Sequence, residues 1–310
     1  MKDEERKDNT IVDNDYSWSF GIFKTIFFIS ILLSLFFIIN FPTKRILDHV
    51  LASAFQSQPG CHISYSDTNF GFFMPSLKFK ELVIPEGCIL KEQKNIPLES
   101  LSIGFGGVSF SPLSAIVNID LEIPRTSLNV KVASNGKKNV IKITKQKVDL
   151  GSLSEIMQKI APDNAKFEGK AILDLDADFV NGKLNNLNSL KISSSDFYLP
   201  AQSISILAIP NLDLKTLDVK LLGKKEKLSL ETFVLGSPDA PLHLDIKGNI
   251  IADYQSLGSS NLDLGVDLKV SPEIAEKFPL GMFLGKFESS ENQYSFKVNG
   301  NASTPQMTKK

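Results

Sequence analysis

The residue types that most often perform catalysis or bind metals are scarce in this chain. Its 310 residues include three histidines, His49, His62 and His243, and two cysteines, Cys61 and Cys88. The histidines are scattered, and neither a G-x-S-x-G nor an H-E-x-x-H motif occurs. A nucleophile needs a base beside it, and a zinc ion needs several ligands at suitable spacing. We therefore expect no catalytic, metal or cofactor site.

Cys61 and Cys88 can pair with each other, because no third cysteine competes with them. His62 is adjacent to Cys61, but no second histidine completes a zinc site, and the C-x-x-C spacing of redox proteins is absent. We favour a disulfide bond between the two cysteines in an oxidising compartment. The alternative is a pair of buried free thiols.

Three aspartates, Asp174, Asp176 and Asp178, have the spacing of the first ligands in a calcium loop. The sixth position of such a loop needs glycine and here holds Phe179, and the twelfth needs glutamate and here holds Asn185. Residues two apart on a β-strand share a face. The spacing therefore predicts three carboxylates on the solvent face of a strand.

A glycine-rich segment, Gly104-Phe105-Gly106-Gly107, has the composition of a phosphate-binding loop. Such a loop is followed by a helix with a lysine, and none follows here. We predict a bulge or bend in a strand instead.

The charges of the whole chain are nearly balanced, with 34 Lys plus Arg against 35 Asp plus Glu. A nucleic-acid-binding protein usually carries a basic patch or stripe, which this sequence lacks. At 42% hydrophobic residues, the chain can bury a core and is not disordered by composition.

One apolar segment extends from Phe20 to Phe41 and carries no charge from Thr25 onward. About 20 apolar residues are enough to cross a bilayer as a helix. We predict a transmembrane anchor over residues 22–41. A cleaved signal peptide and a buried helix of a soluble domain are the alternatives. More basic residues precede the segment than follow it, which predicts that residues 1–21 form a cytoplasmic tail and that the rest is exported.

Beyond the anchor, apolar and polar residues alternate with the period of two that is typical of half-buried strands. Clear examples are Leu173 to Phe179, Leu242 to Ile246 and Leu262 to Val270, and turn pairs such as Asn135-Gly136 and Asn181-Gly182 separate such segments. Roughly a dozen of them predict a mainly β fold, an elongated, twisted antiparallel β-sheet domain over residues 61–305.

Helices are few in this interpretation. Residues 42–60 have the spacing of a membrane-proximal amphipathic helix, and Ser152 to Ala161 predicts a second helix. Ser271-Pro272 predicts a third, with a capping serine and proline at its first position. The apolar segment Phe278 to Phe287 is expected to cover one end of the sheet, and residues 306–310 are expected to form a frayed tail.

Several segments match the pattern of a known family. They are Cys61 to Tyr65, Phe70 to Pro75, Leu77 to Pro85, Val148 to Leu153, Phe167 to Ala171, and Phe296 to Ala302 with Pro305. Together with the single anchor, they resemble the type II secretion system protein N (general secretion pathway protein N) family. The chain is similar, more loosely, to AsmA-like envelope proteins.

The first resemblance implies a non-enzymatic component of the type II secretion system that assists assembly or scaffolding in the export of folded periplasmic proteins. Its partners would be other inner-membrane or secretin components and membrane lipids, with no nucleic acid. The second implies a periplasmic β-groove that binds lipid or moves it between membranes. Both imply a single-pass bacterial inner-membrane protein with a cytoplasmic N-terminus and a periplasmic bulk.

Overall fold

Strands dominate the part of the chain that the computed structural model describes, which comprises residues 29–30, 63–71, 75–86, 94–160, 165–181, 183–204, 207–224, 227–254, 256–278 and 284–310. The strands are β1 (Asp67–Gly71), β2 (Ser76–Ile84), β3 (Ile96–Phe110), β4 (Leu113–Ile123), β5 (Thr126–Ser134), β6 (Lys138–Asp149), β7 (Lys170–Val180), β8 (Lys183–Leu199), β9 (Gln202–Ile204), β10 (Leu207–Ile209), β11 (Leu212–Lys224), β12 (Lys227–Leu235), β13 (Leu242–Ile251), β14 (Asn261–Val270), β15 (Glu288–Ser290), β16 (Gln293–Asn301) and β17 (Gln306–Lys309). The described helices are α1 (Leu150–Ile160) and α2 (Pro272–Lys277), with 3₁₀ turns at Leu257–Ser259 and Gly285–Phe287.

Fifteen of the described strands form one antiparallel sheet in which most strands pair with their neighbours in sequence. The order is β1-β2-β3-β4-β5-β6-β7-β8-β11-β12-β13-β14-β16-β15, with β17 also paired to β16. Strands β9 and β10 form a separate hairpin between β8 and β11. The prediction of a mainly β protein built on a large antiparallel sheet is confirmed.

Turns and bulges occur where the sequence predicts them. Gly136 has φ of 86° in the turn between β5 and β6, and Asn181 has φ of 51° after β7. The register of β3 against β4 shifts between Phe105 and Gly107, where Gly107 has φ of 117°. This is the bulge that the glycine-rich segment predicts, and glycine suits it because other residues rarely adopt such a positive φ.

The sheet has one apolar face, which we call the core face, and an opposite outer face. On β14 the core face carries Leu264, Val266 and Leu268, and these are paired with residues of β16 such as Val298 and Phe296. Among the described residues, most of the buried apolar side chains belong to two clusters on this face. The period of two therefore produces a continuous apolar surface along one side of the sheet.

Helix α1 covers one end of the core face and is capped by an aspartate. The Oδ1 of Asp149 accepts a hydrogen bond of 2.8 Å from the amide of Ser152. Arg125, in the turn between β4 and β5, donates from Nε to the Ser152 hydroxyl at 3.2 Å and contacts Glu155 at 3.2 Å. These bonds join the start of the helix to the end of a hairpin, and Leu153 packs on both core clusters.

Helix α2 forms where the sequence predicts it, but its cap differs. Ser271 occupies the capping position in an extended conformation, yet its side chain makes no capping hydrogen bond and its buried Oγ has no partner. Backbone geometry and the proline at the first helical position therefore start this helix. Ile274 of α2 is buried in the core, and Phe278 and Phe287 pack in the same cluster, so the described ends of the 278–287 segment do cover the sheet as expected.

The expectation of a frayed tail at residues 306–310 is wrong. Residues 306–309 form strand β17, which pairs with residues Phe296 to Asn299 of β16. Polar alternation in a short exposed strand is a weak signal, and the pairing depends on the neighbouring strand rather than on burial.

Several predictions fall outside the described residues. They concern the tail at 1–21, the anchor at 22–41 apart from positions 29–30, the helix at 42–60, and both Cys61 and Cys88. Within the described residues, no helix combines the length and the apolar character needed to cross a membrane. The chain divides into two compact units, Met1–Val50 and Leu51–Lys310, and the sheet belongs to the second.

The packing predicts a large cost for truncating Leu214, which is 0% exposed in the core. We expect Leu214→Ala to lower the free energy of unfolding by about 2–5 kcal/mol, because it removes buried methyl groups and leaves a cavity. The urea midpoint of the purified chain would measure this. Ile172→Ala, at a side chain that is 46% exposed, is the matched control and should move the midpoint little. Equal shifts would contradict the assignment of the core face.

Candidate functional site

The sheet has two ends that differ in how their core face is covered. The closed end holds α1, α2 and the turns that precede β5 and β13, and most of the buried core residues lie there. The open end holds the turns that follow β3, β5, β7, β11, β13 and β16. Because consecutive strands are antiparallel, each strand runs from one end to the other.

Along β3 the apolar side chains of the core face are buried at the closed end, where they belong to a core cluster, and exposed at the open end. Ile96 is 3% exposed and Leu98 is 7% exposed, whereas Ile103 is 36%, Phe105 48% and Phe110 85% exposed. All five are apolar, so the gradient arises from what packs on the strand and not from its sequence. At the open end no described element covers these side chains.

Strand β4 shows the same gradient in the opposite chain direction. Ile123 is 2% exposed at the closed end, and Leu113 is 68% exposed at the open end. Phe110 pairs with Leu113, and Val108 pairs with Ala115, so the exposed residues of the two strands are neighbours. We call the exposed end of this hairpin, residues 103–115, the apolar tip.

The uncovered core face continues from the tip onto the next strands. Apolar side chains at the open ends of β5 to β7 are half-buried; they are Val130, Val132, Ile141, Leu175 and Phe179. Their cross-strand pairing connects them with the tip, since Val117 of β4 is opposite Val132 of β5. The result is a continuous, accessible apolar surface over β3 to β7.

The open end is covered again over β8 to β13. Leu228 and Leu230 of β12 are buried there. The amide of Leu187 on β8 donates a hydrogen bond of 3.2 Å to Tyr254 Oη, so the loop after β13 reaches across the two intervening strands. The accessible part of the core face therefore lies on the β3 to β7 side.

The outer face carries the charges, including the three aspartates of β7. Asp176 pairs with Lys142 at 2.9 Å, and Asp178 pairs with Lys138 at 2.8 Å. The Nδ2 of Asn188 lies 2.9 Å from Asp176 Oδ1 and 3.3 Å from Asp178 Oδ1. Their predicted place on a strand is confirmed, but Asp178 is buried by its partners and is not exposed to solvent as predicted. These groups form a cross-strand network and not a loop.

A polar cavity of about 380 Å³ beside α1 is a weaker candidate. Its arginine, Arg125, already contacts Asp149 at 3.6 Å and Glu155 at 3.2 Å. An arginine that is paired with two carboxylates is a poor receptor for a further anion. This cavity fits a structural role in joining α1 to the sheet.

The scarce reactive residues do not converge within the described residues. The Nδ1 of His243 lies 2.7 Å from the carbonyl oxygen of Gly236, and its strand partner is Lys269. His49, His62, Cys61 and Cys88 lie outside the described residues. Sequence reasoning did not find the apolar tip, although a signal exists: no charged residue occurs from Ser100 to Ile119.

No family model, curated protein or solved structure matches this chain. A function for this protein therefore has to be inferred from the geometry of the core face and from the physical chemistry of its residues.

One carboxylate of the outer face has a shifted pKa with a clear cause. Hydrogen bonds from Lys310 Nζ, at 2.7 Å, and from Ser295 Oγ, at 2.6 Å, reach Asp267 and hold its pKa below the ordinary value of 3.8. A lowered pKa in the folded state means that ionised Asp267 stabilises the fold above pH 3.8, and that this contribution is lost as the pH falls through the lowered pKa. The side chain is half exposed, so solvent screens the effect.

We expect Lys310→Gln to return the pKa of Asp267 toward 3.8, because the strongest hydrogen bond that stabilises the carboxylate is removed. An NMR titration of the Asp267 carboxyl carbon would measure the change. Lys247→Gln is the matched control, since Lys247 acts on Asp267 only through a weaker coulombic interaction, and it should shift the pKa less. A titration curve unchanged by Lys310→Gln would contradict the contact.

Proposed function

We propose that this protein is a non-enzymatic envelope protein that holds the acyl chains of lipids against the core face of its sheet. The observation that carries the proposal is the gradient of exposure along β3 and β4. Both strands carry apolar side chains along the core face. These side chains are buried at the closed end and accessible at the open end, and they form one continuous surface.

The energetics favour a ligand that is long and apolar. Removing apolar surface from water contributes about 25 cal/mol per Å², or about 0.8 kcal/mol for each methylene. An acyl chain lying along a strand can contact side chains at every second residue, and β3 is 15 residues long. The sheet is therefore long enough to match such a chain along its whole length.

The distribution of charge supports the same ligand. The ion pairs of Asp176, Asp178 and Asp267 belong to the outer face. The accessible core face over β3 to β5 presents valine, isoleucine, leucine and phenylalanine. A polar or charged small molecule would find few hydrogen-bond partners on this face, whereas a hydrocarbon chain needs none.

The place of the protein in the cell forms part of the proposal. The apolar segment at 22–41 would anchor it in the bacterial inner membrane, with residues 1–21 in the cytoplasm and the sheet in the periplasm. The resemblance to AsmA-like envelope proteins supports this arrangement, in which lipid moves along a β-groove between membranes.

Photo-crosslinking from the core face tests lipid binding. A photoreactive amino acid at Val117 or Leu175 of the full chain should form adducts with phospholipid in growing cells, because both side chains are half-buried on the accessible part of the core face. The adducts would be identified by mass spectrometry of the purified protein.

The matched controls are the adjacent outer-face positions Asn118 and Asp174, which should give few lipid adducts. Equal labelling of the two faces, or labelling of neither, would contradict the proposal. Labelling of the core face alone supports it.

A second function is favoured by the edge strands and by the resemblance to the type II secretion system protein N family. Within the described residues, β17 pairs only with β16, and all four of its residues are exposed. An open strand edge can bind a strand of another protein through main-chain hydrogen bonds. We propose, as the alternative, a scaffold that assists assembly of the secretion machine with inner-membrane or secretin components.

Deletion of the gene tests the second function. If the protein assists type II secretion, hydrolases that the machine exports should accumulate in the periplasm of the deletion strain, and a plasmid copy should restore export. Unchanged export would count against the scaffold and would leave lipid binding as the single candidate.

A further inference from the structure

We infer that the open end of the sheet docks on the surface of an anionic phospholipid membrane, with the apolar tip inserted among the lipids. This inference rests on the proposed lipid-binding function and adds the surface from which lipid would enter or leave the core face. It follows from three observations on the open end.

The first observation is the exposure of the tip. Phe110 is 85% exposed and Leu113 is 68% exposed, and they are paired across the end of the hairpin. Phe105 and Val108 follow them on the core face at 48% and 46%. A contiguous exposed apolar patch of this kind marks an interaction site, because isolated exposed apolar residues are ordinary but clusters are not.

The second observation is the absence of charge on both faces of the hairpin. The twenty residues from Ser100 to Ile119 contain no Asp, Glu, Lys or Arg, in a chain where 22% of residues are charged. The outer face of the tip carries small residues, such as Gly106 and Ser109. A protein partner would cover one face and leave the other in water, whereas a lipid layer surrounds an inserted hairpin and favours two uncharged faces.

The third observation is a set of lysines at the same end of the sheet as the tip. Lys137 lies in the turn after β5, and four more lysines begin or end strands at this end: Lys138 of β6, Lys183 of β8, Lys224 of β11 and Lys227 of β12. All five are exposed, and Lys138 also pairs with Asp178. Because these lysines lie at the same end of the sheet, their charges complement an anionic headgroup layer.

The apolar tip and the lysines at the open end combine the two features of a segment that binds in the membrane interface. Apolar side chains enter the boundary between headgroups and acyl chains, and lysines at the flanks reach the headgroups. The accessible core face begins at the tip, since Leu113 is followed on the same face by Ala115 and Val117. An acyl chain leaving the membrane beside the tip would therefore meet an apolar surface at once.

Fluorescence quenching tests the insertion directly. Trp18 is the single tryptophan of the chain, so Phe110→Trp in a Trp18→Phe background places one indole at the tip. The full chain would be held in nanodiscs of ordinary lipid and mixed with vesicles of brominated phosphatidylglycerol. We expect a blue shift and the loss of most of the indole fluorescence, because bromine quenches only at close contact.

The control places the indole at the other end of the sheet. Asp239→Trp in the same background lies in the exposed turn between β12 and β13. It should keep its fluorescence under the same conditions. Equal quenching at the two positions, or no quenching at position 110, would overturn the inference.

Charge variants test the anionic surface. Replacing Lys137, Lys183 and Lys227 by glutamine should weaken vesicle binding by about tenfold or more, since each lysine near an anionic surface contributes to binding. The same number of Lys→Gln changes at closed-end residues Lys147, Lys166 and Lys286 is the matched control. Vesicles of brominated phosphatidylcholine should quench position 110 less. Equal effects of the two triple variants would contradict docking through the open end.

The failure of this inference can be separated from failure of the proposed function. Lipid adducts at Leu175 without quenching at position 110 would overturn membrane docking and leave lipid binding in place. Quenching without adducts would overturn lipid binding along the core face. Adducts between position 110 and a protein, in place of lipid, would assign the tip to a protein partner and overturn the inference.

Discussion

The structure depends on one constraint: an antiparallel sheet with one apolar face needs another element to keep that face from water. Two described helices and the segment beside α2 serve this purpose, and they lie at one end. Burial there is nearly complete, as at Ile123 and Leu214. Over β3 to β7 no described element covers the other end, so the same alternation that stabilises the closed end leaves an accessible apolar surface at the open end. The candidate site is therefore a consequence of unequal covering.

The same strand register brings charged and polar residues of the outer face opposite each other. Because residues opposite each other share a face, a lysine on β6 meets an aspartate on β7, and a serine on β16 meets an aspartate on β14. Lys142 with Asp176 and Ser295 with Asp267 are examples. Charges are thus neutralised locally on the outer face and stay away from the core face. This separation is what makes one face suitable for hydrocarbon and the other for water.

Much of the fold could be predicted because its signals are local. The period of two in Leu262 to Val270 and the turn at Asn135-Gly136 correspond to β14 and to the end of β5. The expectation for Ser271 was half right: the helix begins there, but the hydroxyl does not cap it. The tail expectation for residues 306–310 was wrong, since β16 supplies the hydrogen bonds that order β17. Capping geometry and edge pairing depend on neighbours that the local pattern does not contain.

The sequence by itself determined the strand periodicity, the apolar face and the two described helices, because each follows from the order of neighbouring residues. It also determined the scarcity of reactive side chains, which is a matter of composition. It also contained the uncharged stretch from Ser100 to Ile119. Only the tertiary structure decided which end of the apolar face is covered. Ile96 and Phe110 are both apolar residues of one strand, yet their exposure differs from 3% to 85%. Burial is a property of what packs on a residue from distant parts of the chain, and no local pattern specifies it.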